Sequence, residues 1–441
     1  MDDLVPVAVI SRHDTSNGDF DAVYRTCFHT PYPAPAFLRA GACAGRAHFE
    51  LPAMAIKPRW PRLRSAAGRM NRREFSGSLL LAGAWFAAGA APAEPVPTKV
   101  SPQAQALYRR ALILDCNSAP PLPDRLPMAQ ADLDLVRNSG VNVVKLSLGG
   151  INSNFADTVT EIAQVLRLIE VHPRYFTQVR VPADLLRAKH SGQLGIILSF
   201  ESAEMFAGKV ENFEVFRNLG VRVMQLSYNR RSPFAAGVME PDGGGLTALG
   251  RDAVKEMNRL GIAIDLSHAN AATTSDVLEL SSQPPIMTHT GAAAVHAHPR
   301  LKSDEQLRAL AAKGGVIGIF DLPYLTASPR QPNVSDYLAH LEHVLKVAGE
   351  DHVGIGSDVG IEPFDTSAAG MAEFQKQLDE RRQAGLSAPE EDRPTYVEGM
   401  NFPRKLELVA DQLLRKGYSG QATEKILGGN FARVFGQIWS V

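Results

Sequence analysis

Two histidines and two carboxylic acids stand at equivalent places in this chain, each at the end of a short apolar run. They are Glu201 after "GIILSF", His268 after "IAIDLS", His289 in "PPIMTHT" and Asp358 after "VGIGS". Two imidazoles and one carboxylate make up the ligand set of a hydrolytic zinc ion that keeps a position open for water. Such an ion lowers the pKa of its water to about 7, and a neighbouring carboxylate can shuttle the proton. The pattern indicates a metal-dependent hydrolase.

These residues lie far apart in the sequence, so their chemistry depends on elements that bring them together. From residue 107 onward, short β-branched apolar runs alternate with amphipathic helices. The runs are centred near residues 113, 144, 197, 224, 265, 287, 318 and 355. They are apolar on both faces, as buried parallel strands are. This alternation predicts an α/β fold of the (β/α)₈ TIM-barrel type, and an open doubly wound sheet is the alternative.

The polar residues at the strand ends say more about function than the number of strands does. Glu201, Asn229, His268, His289 and Asp358 each follow or end a different apolar run. In a barrel the carboxyl ends of the strands lie on one face, where active sites are built. Taken alone, each residue has a structural explanation, because a strand-end Asp often caps the next helix and a strand-end His is often only hydrogen-bonded. Their shared position favours a single site.

From about residue 107 to residue 437 the chain resembles the membrane dipeptidase (renal dipeptidase) family of zinc peptidases. The stretches that carry the likeness are "LGVRVMQLSYN" (219–229), "GLTALGRDAVKEMNRLGIAIDLSHAN" (245–270), "IMTHTGAAAVHAHPR" (286–300), "LRALAAKGGVIG" (307–318), "HVGIGSD" (352–358) and "KILGGNFARVF" (425–435). The resemblance implies a (β/α)₈ barrel with two zinc ions bridged by a glutamate. It also implies hydrolysis of dipeptides, often with a D-residue tolerated at the C-terminal position.

The same resemblance assigns roles to individual residues. Glu201 is implied to be the bridging carboxylate and a catalytic residue, and His268 and His289 the other ligands of the second zinc. Asp358 is implied to be the catalytic acid/base. Arg300, in "HPR", is implied to clamp the terminal carboxylate of the substrate, which suits its planar bidentate donors.

Other positions depart from the family pattern around the same face. Tyr228 stands where the family has a substrate-contacting His, and we expect it to bind the substrate together with Asn229. The family turn "SDFDG" reads "SDVGI" after the last run, and "EGG" reads "ESA" after the third. These changes indicate an altered substrate pocket.

The first strand departs most clearly, because the family holds its first zinc there with a His-x-Asp pair. This sequence has Asn117 and Ala119 at those places. Asn117 offers at most one weak carbonyl ligand, and Ala119 offers none. Side chains alternate along a strand, so Cys116 points the other way, while Asp115 lies on the correct face but deeper in the barrel. We therefore expect one intact Zn²⁺ site rather than two.

A stretch ahead of the predicted domain has the three parts of a cleaved export signal. Its basic start contains the pair Arg72 and Arg73, an apolar run covers residues 79–91, and Ala-Pro-Ala precedes Glu94. The arginine pair predicts the twin-arginine route to the periplasm or the cell exterior. The apolar run is shorter than the roughly 20 residues of a membrane span, and an uncleaved anchor is the alternative.

The signal divides the chain into three parts. Residues 1–69 are expected to be a disordered leader upstream of the native start, with a genuine leader as the alternative. Residues 70–93 are the predicted twin-arginine signal peptide, and residues 94–441 the predicted single dipeptidase-like domain.

The composition limits the partners of the chain. A net charge of −1, with 45% hydrophobic and 21% charged residues, is typical of a globular protein and carries no nucleic-acid footprint. Its 3 cysteines are too few for a disulfide framework. We expect a dipeptide or small peptide-like substrate, no nucleic acid and no stable membrane span after cleavage. A homodimer is an option, because members of the family commonly dimerise.

Three hypotheses about function follow from these features. The first is an exported metallo-dipeptidase that works with one divalent ion on small amides with a free carboxylate. The second is a catalytically altered pseudoenzyme or maturation factor in the periplasm. The third is a hydrolase of small esters or lactones on the same barrel.

Overall fold

The computed structural model of the chain describes residues 99–123, 125–150 and 153–440. The predicted leader, 1–69, and the predicted signal peptide, 70–93, lie outside these described residues. The predicted domain, 94–441, is described from residue 99 to residue 440 apart from residues 124, 151 and 152.

The strands of the described chain form one parallel sheet that closes into a ring. The strands are β1 Leu114–Asp115, β2 Val143–Leu148, β3 Phe176–Gln178, β4 Leu194–Phe200, β5 Val221–Met224, β6 Ala263–Ile264, β7 Met287–Thr290, β8 Ile317–Ile319 and β9 Val353–Ile355. Their order is β6-β5-β4-β2-β1-β9-β8-β7, and β3 pairs with β4 outside this path. A parallel bridge between Asp265 and Ile286 joins the end of β6 to the start of β7. The predicted (β/α)₈ barrel is confirmed.

Helices alternate with the strands along the chain, and most of them cover the ring from outside. They are α1 Pro102–Arg110, α2 Gln130–Ser139, α3 Phe155–Val171, α4 Pro182–Ser191, α5 Glu211–Asn218, α6 Ala248–Leu260, α7 Ala271–Leu280, α8 Asp304–Ala312, α9 Val334–Ala348, α10 Ala368–Gln383, α11 Lys405–Arg415, α12 Gly420–Glu424 and α13 Asn430–Ile438. Of these helices, α10 lies over the mouth of the ring. Among the described residues, no helix combines the length and the apolar character that crossing a bilayer requires.

Apolar residues on both faces of the strands hold the barrel together. All seven positions of β4 are buried, because one face points into the barrel and the other packs under the helices. The outer layer includes Phe431 and Phe435 of α13, packed in one cluster with Leu114 and Cys116. Cys116 therefore lies away from the barrel interior, as the alternation of side chains along the first strand predicts.

Two glycines let the last strands approach Thr288 closely. A Cβ atom at Gly318 would lie 2.0 Å from Thr288 O, and one at Gly356 would lie 1.7 Å from the same oxygen. Real Cβ atoms do not come so close to a backbone oxygen, so only glycine fits at either position. This approach sets His289, the neighbour of Thr288, against the end of β9 that leads to Asp358.

Candidate metal centre at the mouth of the barrel

Glu201, His268 and His289 each bring one ligand atom to a common place, and these atoms lie within 4.8 Å of one another. Glu201 directly follows β4, His268 follows β6, and His289 lies in β7. The two Nε2 atoms are 3.0 Å apart, and His268 Nε2 lies 3.8 Å from Glu201 Oε2. Two zinc–nitrogen bonds of about 2.0–2.1 Å at a tetrahedral angle separate their nitrogens by roughly 3.3 Å. The spacing of the three side chains suits one metal ion.

Asn229 holds the imidazole of His268 with its Nε2 toward the centre. Asn229 Oδ1 lies 2.8 Å from His268 Nδ1, while the Asn229 amide nitrogen donates to Leu386 O at 2.9 Å. Because that donation turns the amide oxygen toward the ring, Nδ1 must carry the proton and donate it. Nε2 is therefore left with a free lone pair.

Thr288 fixes the second imidazole in the same way. Its hydroxyl donates to Asp265 Oδ2 at 2.6 Å and lies 2.8 Å from His289 Nδ1. A hydroxyl has one hydrogen, so its oxygen accepts the Nδ1 proton of His289 and leaves Nε2 unprotonated. Two lone pairs then face each other across 3.0 Å, an arrangement that a cation between them stabilises.

The environment keeps both rings neutral. Burial lowers the pKa of His268 and of His289 well below the ordinary range, and the nearby charge of Arg300 lowers both further. Neutral imidazole is the form that binds metals. Two nitrogens and one carboxylate at this spacing fit Zn²⁺ or a similar divalent ion, so the residues present suit the metal that the family implies.

Lys145, which was not among the residues predicted from the sequence, is also part of the site. It lies in β2, its side chain is 0% exposed, and its Nζ lies 3.4 Å from Glu201 Oε1. The signal was present in the sequence, since a lysine interrupts the apolar run "VVKLSL". A charged residue inside a buried strand requires a partner of opposite charge.

Asp358 lies beside His289 and Arg300 at the same mouth. Its Oδ2 is 3.9 Å from His289 Nε2 and 3.9 Å from an Arg300 nitrogen. Its backbone has φ 60, a left-handed conformation that a non-glycine residue holds only under constraint. Burial and the Glu201 carboxylate raise the pKa of Asp358 well above its usual range, against the opposing charges of Arg300 and Lys145. A carboxyl group in this state can both take and return a proton near neutral pH.

Arg300 reaches the mouth from the loop that follows β7. Its guanidinium is 3% exposed and donates to Ser267 O at 3.1 Å, and it lines the cavity over the metal site. A buried guanidinium facing a cavity can receive a carboxylate with two parallel hydrogen bonds. The structure thus brings Arg300 to the same site as the metal ligands.

Tyr228 lines the cavity, whereas Asn229 is buried behind His268. The Tyr228 ring stacks on His268 with centroids 4.0 Å apart, and it lines the cavity. Asn229 is 2% exposed and its two polar atoms contact His268 and Leu386. Substrate contact by either residue stays a prediction, and the structure adds a supporting role for Asn229 at the imidazole.

The first strand places its side chains as the alternation predicts. The Asn117 amide nitrogen donates to Asp358 Oδ1 at 2.5 Å, and its role as a weak metal ligand stays a prediction. Asp115 lies below it and accepts hydrogen bonds from the backbone and hydroxyl of Ser357 at 2.8 and 2.5 Å. Asp115 is therefore hydrogen-bonded to the residues that follow β9. Ala119 has no polar side chain.

A cavity of about 850 Å³ opens above the metal site. One wall is the barrel end with Pro120–Pro123, Tyr228 and Arg300, and the other is the segment between β9 and α11, residues 359–404, which we call the cap segment. Aromatic rings of the cap segment line this wall, with Phe364 packed against Tyr396 at 5.5 Å. Beyond the turn "SDVGI" at its start, the cap segment carries neither a motif nor a strand end that would predict its place over the site.

Arg381, on α10 of the cap segment, also faces this region. It pairs with Glu391 at 2.6 Å and lies near the Tyr228 hydroxyl. The mouth thus presents two guanidinium groups, Arg300 from the barrel and Arg381 from the cap segment.

Known proteins are similar to this chain in sequence and in fold. The dipeptidase tcpJ of Claviceps purpurea (strain 20.1) is 29% identical over 293 residues, which cover 66% of this chain and 62% of that protein, less than two thirds of its length. An amidohydrolase structure from Pseudomonas aeruginosa is 26% identical with a TM-score of 0.67, and the match covers 77% of this chain and 99% of that one.

A further solved structure is similar in fold. A metallo peptidase from Rhodobacter sphaeroides, liganded with a phosphinate mimic of the dipeptide L-Ala-D-Ala, is 21% identical with a TM-score of 0.61, covering 75% of this chain and 99% of that one. Residues 102–380 match the family described as Membrane dipeptidase (Peptidase family M19). Since this match spans more than half of the sequence and includes the three candidate ligands, the chain belongs to the membrane dipeptidase family of metallohydrolases.

Proposed function

We propose that this protein hydrolyses dipeptides, or similar small amides with a free carboxylate, using one zinc ion held by Glu201, His268 and His289. The observation that carries the proposal is the approach of the two imidazole Nε2 atoms to 3.0 Å of each other, within reach of a carboxylate. Because Asn229 and Thr288 fix the proton of each ring on Nδ1, both Nε2 lone pairs are available to bind a cation.

The chemistry divides between the ion and the side chains around it. A bound zinc ion supplies Lewis-acid polarisation of the scissile carbonyl and lowers the pKa of a water to about 7. Asp358 takes the proton of the attacking water on Oδ2, because Oδ1 already accepts from Asn117. It then returns this proton to the leaving amine, for which its raised pKa suits it.

Arg300 supports the choice of substrate. Its buried guanidinium lies 3.9 Å from Asp358, so a carboxylate bound to it lies beside the proton shuttle. The short distance between Arg300 and Asp358 requires a substrate whose carboxylate lies close to the scissile bond. A dipeptide meets this requirement, because its one peptide bond is next to its C-terminal residue. The dipeptide mimic bound to the Rhodobacter sphaeroides metallo peptidase and the dipeptidase name of the Claviceps purpurea relative support the same substrate class.

The cell exterior or periplasm is the proposed location. The support is the sequence of residues 70–93, with Arg72 and Arg73 ahead of an apolar run and a small-residue exit. Replacing both arginines with lysine is expected to leave the protein in the cytoplasm, as cell fractionation measures. Unchanged export of this double variant rejects the twin-arginine route.

Hydrolysis of L-Ala-D-Ala by the purified, zinc-loaded protein tests the proposed activity. We expect turnover that is lost on chelation and restored by zinc, and lost in Glu201→Gln by a factor of at least about 10². Glu204→Gln is a matched control, since Glu204 is a nearby carboxylate whose Oε2 accepts from Ala203 N rather than facing the histidines. A protein that binds zinc but cleaves neither dipeptides nor dipeptide analogues rejects the dipeptidase and favours a non-hydrolytic role.

A further inference from the structure

Lys145 occupies the interior of the barrel beside the metal ligands. It lies in the middle of β2, is fully buried, and directs Nζ to Glu201 Oε1 at 3.4 Å. An ammonium group removed from water costs several kcal/mol unless an opposite charge compensates it. The position of this lysine is therefore tied to the charge of Glu201.

The two oxygens of Glu201 serve different cations. Oε2 lies 3.8 Å from His268 Nε2, on the side of the paired imidazoles, whereas Oε1 faces Lys145. One carboxylate thus spans two cation positions. The histidines surround the first position with lone pairs, and an ammonium group already fills the second.

The side chains of the first strand, where the resemblance implies the first zinc site, are not free to act as metal ligands. Asn117 directs its amide nitrogen to Asp358 Oδ1 at 2.5 Å, and Ala119 has no polar atom in its side chain. Asp115 is engaged by Ser357 through both its oxygens. A divalent ion requires several lone pairs in its coordination sphere, and the Oε1 side of Glu201 offers an ammonium instead.

We propose that the Lys145 ammonium is the permanent second cation of the site, a positioning residue that fixes Glu201 through Oε1 and limits the barrel to one metal ion. The proposal rests on the single zinc site of the proposed function. An ammonium carries one charge and has no open coordination position, so Lys145 can hold Glu201 but cannot bind or polarise a substrate oxygen as a second ion does. Substrate orientation must then come from Arg300 and the cavity wall.

Metal stoichiometry tests the proposal without reference to catalysis. Wild type, Lys145→Gln, Asn117→Asp and the double variant Lys145→Gln/Asn117→Asp are dialysed against zinc, and bound metal is measured by mass spectrometry. Asp at 117 is isosteric with Asn and adds a carboxylate beside Asp358. We expect about one equivalent in the first three proteins and about two in the double variant, where the ammonium beside Glu201 is gone and residue 117 adds a carboxylate.

Lys302 provides the matched control. It is also buried, at 1% exposure, but its Nζ donates to Ala269 O at 2.7 Å rather than to a carboxylate. Lys302→Gln/Asn117→Asp is expected to keep about one equivalent, because the charge beside Glu201 is unchanged. Lys145→Met, which is of similar length and uncharged, replaces Lys145→Gln in the comparison if the glutamine variant does not fold.

The outcomes separate the two proposals. Two equivalents in Asn117→Asp with Lys145 present, or one equivalent in the Lys145→Gln/Asn117→Asp double variant, overturns the role of Lys145. Wild type with two equivalents overturns it as well. Wild type that binds no zinc rejects the metal site of the proposed function instead.

Discussion

The backbone and side chain of Asn117 both bind Asp358, which joins the first strand of the barrel to the last. The Asn117 amide donates to Asp358 Oδ1 at 2.5 Å, and Asp358 N donates to Asn117 O at 2.8 Å. These two bonds hold Asp358 in its left-handed conformation, with Oδ2 toward His289. In this chain Asn117 thus orients the carboxyl group that we propose as the proton shuttle.

Replacement of Asn117 by Ala is expected to lower kcat while zinc content stays at the wild-type level. The Asp358 carboxylate loses the hydrogen bond that sets its rotamer, and a misplaced proton shuttle costs roughly 10–10²-fold in rate. Steady-state kinetics and metal analysis on the same preparation check both parts. Loss of zinc from this variant contradicts the orienting role and makes Asn117 a ligand.

The sequence was sufficient to predict the barrel, and to place the three candidate ligands at one end of it, for a physical reason. Parallel strands bury both faces, so their apolar runs are continuous, and their carboxyl ends share one rim. His268, His289 and Glu201 could therefore be placed together without knowledge of any distance.

Residues that act from inside a strand or from an inserted segment were not predictable in this way. Lys145 reaches Glu201 from the middle of β2, and which residue a buried lysine contacts depends on the three-dimensional register of neighbouring strands. Arg381 lies at the mouth on α10, and no motif in the sequence of this helix indicates that it lines the cavity. Asn229 was assigned to substrate because it follows a strand, but its contact with His268 required the geometry of the loop.

Thr288→Val is expected to weaken zinc binding by roughly 10–10²-fold, because the acceptor that fixes the His289 tautomer is lost. Valine has nearly the same shape as threonine, and Thr288 is fully buried, so packing changes little. Competition with a zinc chelator measures the affinity. Thr288→Ser keeps the hydroxyl and serves as the control. Equal weakening in both variants points to packing rather than to the hydrogen bond as the cause.

Arg300→Lys is expected to raise KM for dipeptides by about 10–10²-fold with a smaller change in kcat. Lysine keeps the charge but cannot form the two parallel hydrogen bonds that a guanidinium gives a carboxylate. Comparison of a dipeptide with its C-terminal amide isolates this contact. The wild type is expected to prefer the acid, and the variant to lose most of that preference. If kcat/KM falls equally for the acid and the amide, Arg300 does not bind the terminal carboxylate.

Asp115 is expected to make the stability of the protein depend on pH. Burial raises the pKa of Asp115 from 3.8 to about 6, despite the Lys405 charge and the hydrogen bonds from Ser357. Between these two values the folded protein keeps the proton while the unfolded chain releases it. The contribution of Asp115 to stability is therefore greatest below pH 4, falls as the pH rises to 6, and stays constant above.

Asp115→Asn removes this dependence, because an amide does not titrate and its oxygen can still accept from Ser357 N. The free energy of unfolding of the variant minus that of the wild type is expected to increase between pH 4 and pH 6 by up to about 3 kcal/mol. Urea unfolding of both zinc-free proteins across this range measures the difference, since histidine protonation affects both equally. A difference that stays constant with pH shows that Asp115 titrates at the same pH in the folded and unfolded chains, against the effect expected from its burial.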